Sequence, residues 1–136
     1  MNTTGTTSWA ETRQTIKHYS IINPNRNQET AEKAFTLLSK LTTTIPPKTT
    51  ITPQTQELNL TWIHHTTTIF TNITLTFKPT GGYEFYYYHK NTTNPNHIYT
   101  EDNSVAGINT HYRKQNPQNT HEKLTLIADK INTLLP

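Results

Sequence analysis

The sequence predicts an α+β domain, an antiparallel β-meander of three to five strands packed on one face by N-terminal and C-terminal amphipathic helices. Three observations carry this reading. Apolar residues recur at helical spacing over residues 29–41 and again over 124–134. Between those stretches, over 58–88, they alternate with polar residues at period two. Proline- and glycine-containing turns separate the two regimes, at Pro46-Pro47 and at Lys78-Pro79-Thr80-Gly81-Gly82.

Ser8-Trp9-Ala10-Glu11 has capping-box spacing, a hydroxyl followed three residues later by a carboxylate. It predicts a helix over about 9–19, with Trp9, Arg13 and Ile16 as its stripe. Pro24 disfavours helical backbone at Asn23 and ends it. A second helix is predicted over 29–41, where Ala31, Ala34, Phe35, Leu38 and Leu41 share one side. Glu29 and Glu32 near its start and Lys40 near its end suit the helix dipole.

Strands follow. Residues 48–52, KTTIT, read as a short edge strand before Pro53. In ELNLTWI, Leu58, Leu60 and Trp62 alternate with Asn59, Thr61 and Ile63; in NITLTF, Ile73, Leu75 and Phe77 alternate with Asn72, Thr74 and Thr76. HHTTTIFT between them predicts a hairpin loop or bulge. YEFYYYH then sends Tyr83, Phe85 and Tyr87 to one face and Glu84, Tyr86 and Tyr88 to the other. Residues 91–119 are rich in turn formers, with short strands expected near 97–100 and 108–112. In the last helix Asn119 is the expected cap, with Glu122 three residues on and Leu124, Ile127, Ala128, Ile131 and Leu134 as the stripe.

Composition sets the class. A chain of 136 residues predicts a single domain spanning 1–136, with residues 1–7 expected to be disordered. Hydrophobic content is low at 31%, yet charged residues make up only 15% and glycines number four. The deficit is filled by 30 threonines and 14 asparagines. Threonine is β-branched and suits a half-buried pleated surface, so the chain reads as folded with a polar exterior. Residues with codons beginning in G are scarce, which points to a G-poor coding strand of a skewed bacterial or phage genome. In such a chain many threonines carry no individual meaning.

The net charge of +3 is too small for the basic footprint of a dedicated nucleic-acid binder. There is no cysteine, hence no disulfide framework or thiolate metal site. The first residues lack the basic and apolar regions of a secretion signal, and no apolar run reaches membrane-spanning length. A cytoplasmic protein without a membrane segment is the expectation.

The stretches AFTLLSKL, IPP, LNLTWI, ITLTF and YEFYYY, with the final helix, resemble a pattern in small uncharacterised bacterial and phage proteins. There an apolar helix leads through a proline turn to a Leu-x-Trp strand, an alternating strand and a Tyr-rich strand. The acidic, glycine-containing turn that often precedes the Leu-x-Trp strand is replaced here by TPQTQ. Those proteins resemble accessory, immunity or antitoxin-like factors, and the resemblance implies a binding role.

Aromatics occupy five of the six positions from Tyr83 to Tyr88. With helices sealing one face, the opposite face offers Tyr86 and Tyr88 as interface anchors, with Trp62, His89 and Lys90 beside them. Tyrosine supplies large contact area at small rotamer entropy and is enriched at binding hot spots. The expected function is a non-enzymatic, macromolecule-binding protein, a stoichiometric inhibitor or immunity/antitoxin-like factor. A protein partner is expected; the alternative is single-stranded nucleic acid stacked on the same aromatics, flanked by Lys78, Lys90 and Arg113. The sequence sets no oligomeric state and is compatible with a homodimer.

No cofactor or metal is expected. His64 and His65 are adjacent and point to opposite faces of a strand, His65 and His89 can meet across the meander, and no HExxH or H-x₃₋₅-H unit exists. No phosphate loop or nucleophile elbow is present, and Glu101-Asp102 near His97 and His111 read as a solvated turn.

Overall fold

The structure, a computed structural model, describes residues 8–79, 81–91, 99–100 and 117–136. The expectations for residues 1–7 and 108–112 lie outside the described residues.

Helix α1 spans Trp9–Ile22. Ser8 is extended, and its Oγ accepts the Glu11 amide at 3.1 Å and donates to Glu11 Oε1 at 3.3 Å, so the serine caps the helix. Ser8→Ala is expected to lower stability by about 1 kcal/mol, read as a small drop in urea midpoint with an unchanged m-value. The helix stops at Asn23, as the following proline requires.

Its buried stripe is Thr12, Ile16 and Tyr19 rather than Trp9, Arg13 and Ile16. Thr12 wins the interior position because its hydroxyl finds acceptors there, the carbonyls of Ser8 at 3.2 Å and Pro47 at 3.3 Å.

Helix α2 spans Pro24–Lys40, beginning five residues before the predicted start because Pro24 occupies its first turn, where no amide is needed. Its buried residues are Asn27, Thr30, Ala31, Ala34 and Leu37. Leu38 and Leu41 pack at the margin, and Phe35, expected on the stripe, is exposed.

The sheet runs β1 (Lys48–Thr52), β2 (Glu57–His65), β3 (Ile69–Phe77), β4 (Tyr83–Asn91) and the two-residue β5 (Tyr99–Thr100). Each strand pairs antiparallel with the next, in spatial order β1-β2-β3-β4-β5. This is the predicted meander. The β3–β4 turn needs Gly81, at φ 98°, where a side chain would be strained.

Register aligns the apolar ranks. Across β2, β3 and β4, Leu58, Phe77 and Tyr83 form one rank, Leu60, Leu75 and Phe85 the next, and Trp62, Ile73 and Tyr87 a third, all of them buried.

Helix α3 spans Pro117–Leu134. It starts before Asn119, so that residue lies inside the first turn and is not the cap. Leu124, Ile127, Ala128 and Ile131 are buried as predicted, with Leu134 partly buried and Leu135 completing the core. Asn132 ties α3 to the end of α2, accepting the Thr42 amide at 2.8 Å and donating to the Lys40 carbonyl at 3.0 Å.

The three helices and the inner sheet face share one core, so the α+β class and the covered meander are as the sequence predicts. No described helix is long and apolar enough to cross a membrane.

Candidate functional site

With the helices on the inner face, the other face of β1–β4 carries its own ranks of side chains. Thr50, Asn59, Thr76 and Glu84 form one, and Lys48, Thr61, Thr74 and Tyr86 the next. Ile63, Asn72 and Tyr88 follow, and His65 stands beside Phe70 at the far end. Two large side chains here meet solvent, Ile63 at 63% and Tyr86 at 45% exposure. Tyr88 is half-buried because it packs edge-on against Phe70, centroids 6.0 Å apart; Phe70 in turn meets His65 at 5.8 Å.

The two ends of this face differ in chemistry. At the β3–β4 turn, Lys78 Nζ lies 2.7 Å from Glu84 and 3.8 Å from Glu57, so one lysine serves two carboxylates. Next to it Asn59 donates to Thr52 Oγ1 at 2.9 Å and accepts from Thr76 Oγ1 at 3.0 Å. These polar side chains satisfy one another. At the opposite end the β2–β3 loop, Thr66 to Thr68, combines with His65, Ile69, Phe70 and Tyr88 around an open cavity of about 370 Å³. A second opening of about 360 Å³ lies between α1 and α2, lined by Trp9, Arg13, Phe35 and Leu38 among others.

Of the residues the sequence singled out, Tyr86 and Tyr88 share the outer face. Lys90 occupies the ladder position opposite Phe70 and beside Tyr99.

Trp62 does not join them. It is 1% exposed on the inner face, and its Nε1 donates to the Ile45 carbonyl at 2.8 Å. Two-residue alternation with Leu58 and Leu60 already put it there, so its place is the core. His89 is corrected likewise. It follows Tyr83, Phe85 and Tyr87 in phase and therefore faces inward, its Nδ1 2.9 Å from the buried Thr71 hydroxyl. Through Thr71 it shares a rank with His64, whereas His65 pairs with Phe70 on the other side. His65 and His89 therefore do not meet.

Among the described residues no group of three His, Cys, Asp or Glu is placed to hold a metal ion. His97, Glu101, Asp102, His111 and Arg113 lie outside the described residues.

Sequence reasoning placed Ile63 in the phase opposite Leu58, Leu60 and Trp62 without naming it as a site residue, and passed over Phe70. The signal was present: each is a large apolar residue in the polar phase of its strand.

No protein-family model matches this chain, and no curated protein or solved structure is significantly similar to it.

Proposed function

We propose that this chain is a small cytoplasmic, non-enzymatic binding protein of bacterial or phage origin that acts stoichiometrically, as an inhibitor or an immunity/antitoxin-like factor. It holds a protein partner against the outer sheet face. The observation that supports this is the one-sided arrangement of the described helices, with Ile63 and Tyr86 left 63% and 45% exposed on the outer face. Large side chains surrounded by threonine hydroxyls match the usual interface anatomy, an apolar centre within a polar rim. Function is read here from the surface, since the fold alone does not assign one.

Replacing Tyr86 and Tyr88 together by alanine is expected to weaken partner capture by at least about 30-fold, because central aromatics dominate such contacts at about 2 kcal/mol or more. Affinity measured by calorimetry reads the effect, and circular dichroism controls for folding. A folded double variant with unchanged affinity removes this face as the interface.

The run His65–Phe70–Tyr88, with Lys90 in the adjoining ladder position, also supports a second reading: single-stranded nucleic acid stacked on the sheet. Filter binding against salt decides. A log–log slope corresponding to several neutralised phosphates favours nucleic acid, and no retention at low salt eliminates it.

A further inference from the structure

The apolar periods of α1 and α2 include two aromatics, Trp9 and Phe35, that the core leaves out. Trp9 is half-buried and Phe35 is 36% exposed. Both line the cavity of about 360 Å³ between the helices, where Leu38 and Leu41 complete the apolar wall. Arg13 stands in the same wall.

We infer that this cavity binds a small aromatic carboxylate, its ring against Trp9 and Phe35 and its carboxylate on the Arg13 guanidinium. The site lies on the helical side of the molecule and does not depend on the outer sheet face.

Charge selects the anion. Among the described residues no carboxylate pairs with Arg13: Glu11 is taken up by Ser8, Glu29 by Lys33, and Glu57 and Glu84 by Lys78. The hydroxyls in the wall are committed as well. Ser39 Oγ donates to the Thr36 carbonyl at 2.6 Å. Thr43 Oγ1 donates to the Pro136 carbonyl at 2.7 Å and accepts the Ile45 amide at 3.2 Å. What remains unpaired in the cavity is the Arg13 guanidinium and the Trp9 indole N–H, and both are donors without an acceptor. Such a lining repels a cation and leaves an apolar ligand's neighbours unsatisfied. A carboxylate, in contrast, takes two guanidinium N–H groups in a bidentate fork.

Size selects a small molecule. Ligand sites hold about 300–1,000 Å³, so this cavity has room for one ring and a short acid chain. A helical or extended peptide needs an apolar groove that continues along its length. Here the neighbouring helix positions are Gln14, Lys17, Glu32 and Thr36, all polar, so the apolar surface stops at the rim.

Nuclear magnetic resonance of the isotope-labelled full chain, titrated with hydrocinnamate, tests this. The chain has two tryptophans, and Trp62 is sealed in the core, so the two indole N–H signals report separately. Trp9→Phe assigns them. The Trp9 signal is expected to move and to saturate with a dissociation constant of about 1 mM or tighter, within reach of so small a ligand. The Trp62 signal is expected to stay in place. Hydrocinnamamide, alike in shape and uncharged, is expected to bind at least ~10-fold more weakly. Arg13→Gln is expected to weaken hydrocinnamate by the same factor while leaving the amide's affinity unchanged. Phe35→Ala is expected to weaken acid and amide alike. Arg13 and Phe35 are both exposed, so these variants keep the fold.

A Trp9 signal that does not move up to about 10 mM hydrocinnamate overturns the inference. An amide that binds as well as the acid, or an acid indifferent to Arg13→Gln, overturns it too. A blocked aspartyl-phenylalanine dipeptide that binds at least ~10-fold tighter than hydrocinnamate moves the site to an acidic protein segment and also overturns it. None of these results bears on the outer face, which stands or falls with Tyr86 and Tyr88.

Discussion

Trp62→Ala is expected to destabilise the domain by about 3–5 kcal/mol, a large part of the ~5–15 kcal/mol that holds a typical domain together. The indole is 1% exposed, at the centre of the inner face between Ile73 and the helices. Removing it opens a cavity that the neighbouring strand β3 cannot close. It also strands a backbone group, because Trp62 Nε1 is the donor to the Ile45 carbonyl at 2.8 Å. That bond anchors the segment leading from α2 to β1 over the core.

Trp62→Phe separates the two effects. It keeps most of the apolar volume and loses the donor, for a cost of about 1–3 kcal/mol. Urea denaturation followed by circular dichroism measures both. If Trp62→Ala costs less than about 1 kcal/mol, the inward placement of the indole is refuted.

Tyr19→Ala is expected to approach the same magnitude, about 3 kcal/mol, since Tyr19 is fully buried and closes a long-range staple. Its hydroxyl donates to the Gln56 carbonyl at 2.6 Å, and Asn27 Nδ2 reaches both the Tyr19 carbonyl at 3.0 Å and Gln56 Oε1 at 3.2 Å. Gln56 itself adopts a left-handed backbone at φ 58°, an uncommon choice for a non-glycine residue that these bonds hold in place. The staple fixes the β1–β2 turn against the junction of α1 and α2. Tyr19→Phe keeps the ring and loses the bond, for about 1–2 kcal/mol.

The same hydroxyl makes stability depend on alkaline pH. Burial pushes its pKa up from 10.0 to about 12; nearby Arg26 opposes the rise and Glu57 adds to it. In the unfolded chain Tyr19 ionises near its ordinary value of 10.0, whereas in the folded protein it holds its proton until about 12. Its contribution is therefore complete below pH 10 and is lost as pH climbs towards 12. The stability advantage of the wild type over Tyr19→Phe is expected to be flat up to about pH 9 and to shrink above pH 10. An advantage that stays constant through pH 12 contradicts the buried, proton-bearing hydroxyl.

The meander was readable because period-two alternation reports directly on side-chain direction. Leu58, Leu60 and Trp62 had to share a face, as did Ile73, Leu75 and Phe77, whatever lay above them. The same rule, followed through, places His89 with Tyr87's neighbours in phase and Trp62 with the leucines. Naming those two as companions of Tyr86 and Tyr88 joined residues close in sequence but opposite in direction. Helix stripes were less legible. Phe35 fits the apolar period of α2 yet is exposed, while Asn27 and Thr30 are buried.

The amino-acid sequence by itself determined the layout of helices and strands, the turn that needs Gly81 and the capping of α1 by Ser8, because each follows from backbone preferences over a few neighbouring residues. Tertiary structure alone decided which polar side chains belong inside. Thr12 is buried because the Pro47 carbonyl awaits it, Asn27 because the Tyr19 carbonyl and Gln56 do, and Thr30 because it reaches the Lys78 carbonyl at 3.2 Å. Burying a hydroxyl or amide is costly unless a partner meets it. Most of those partners come from segments distant in the chain, and no local pattern reveals which segments the fold will bring together.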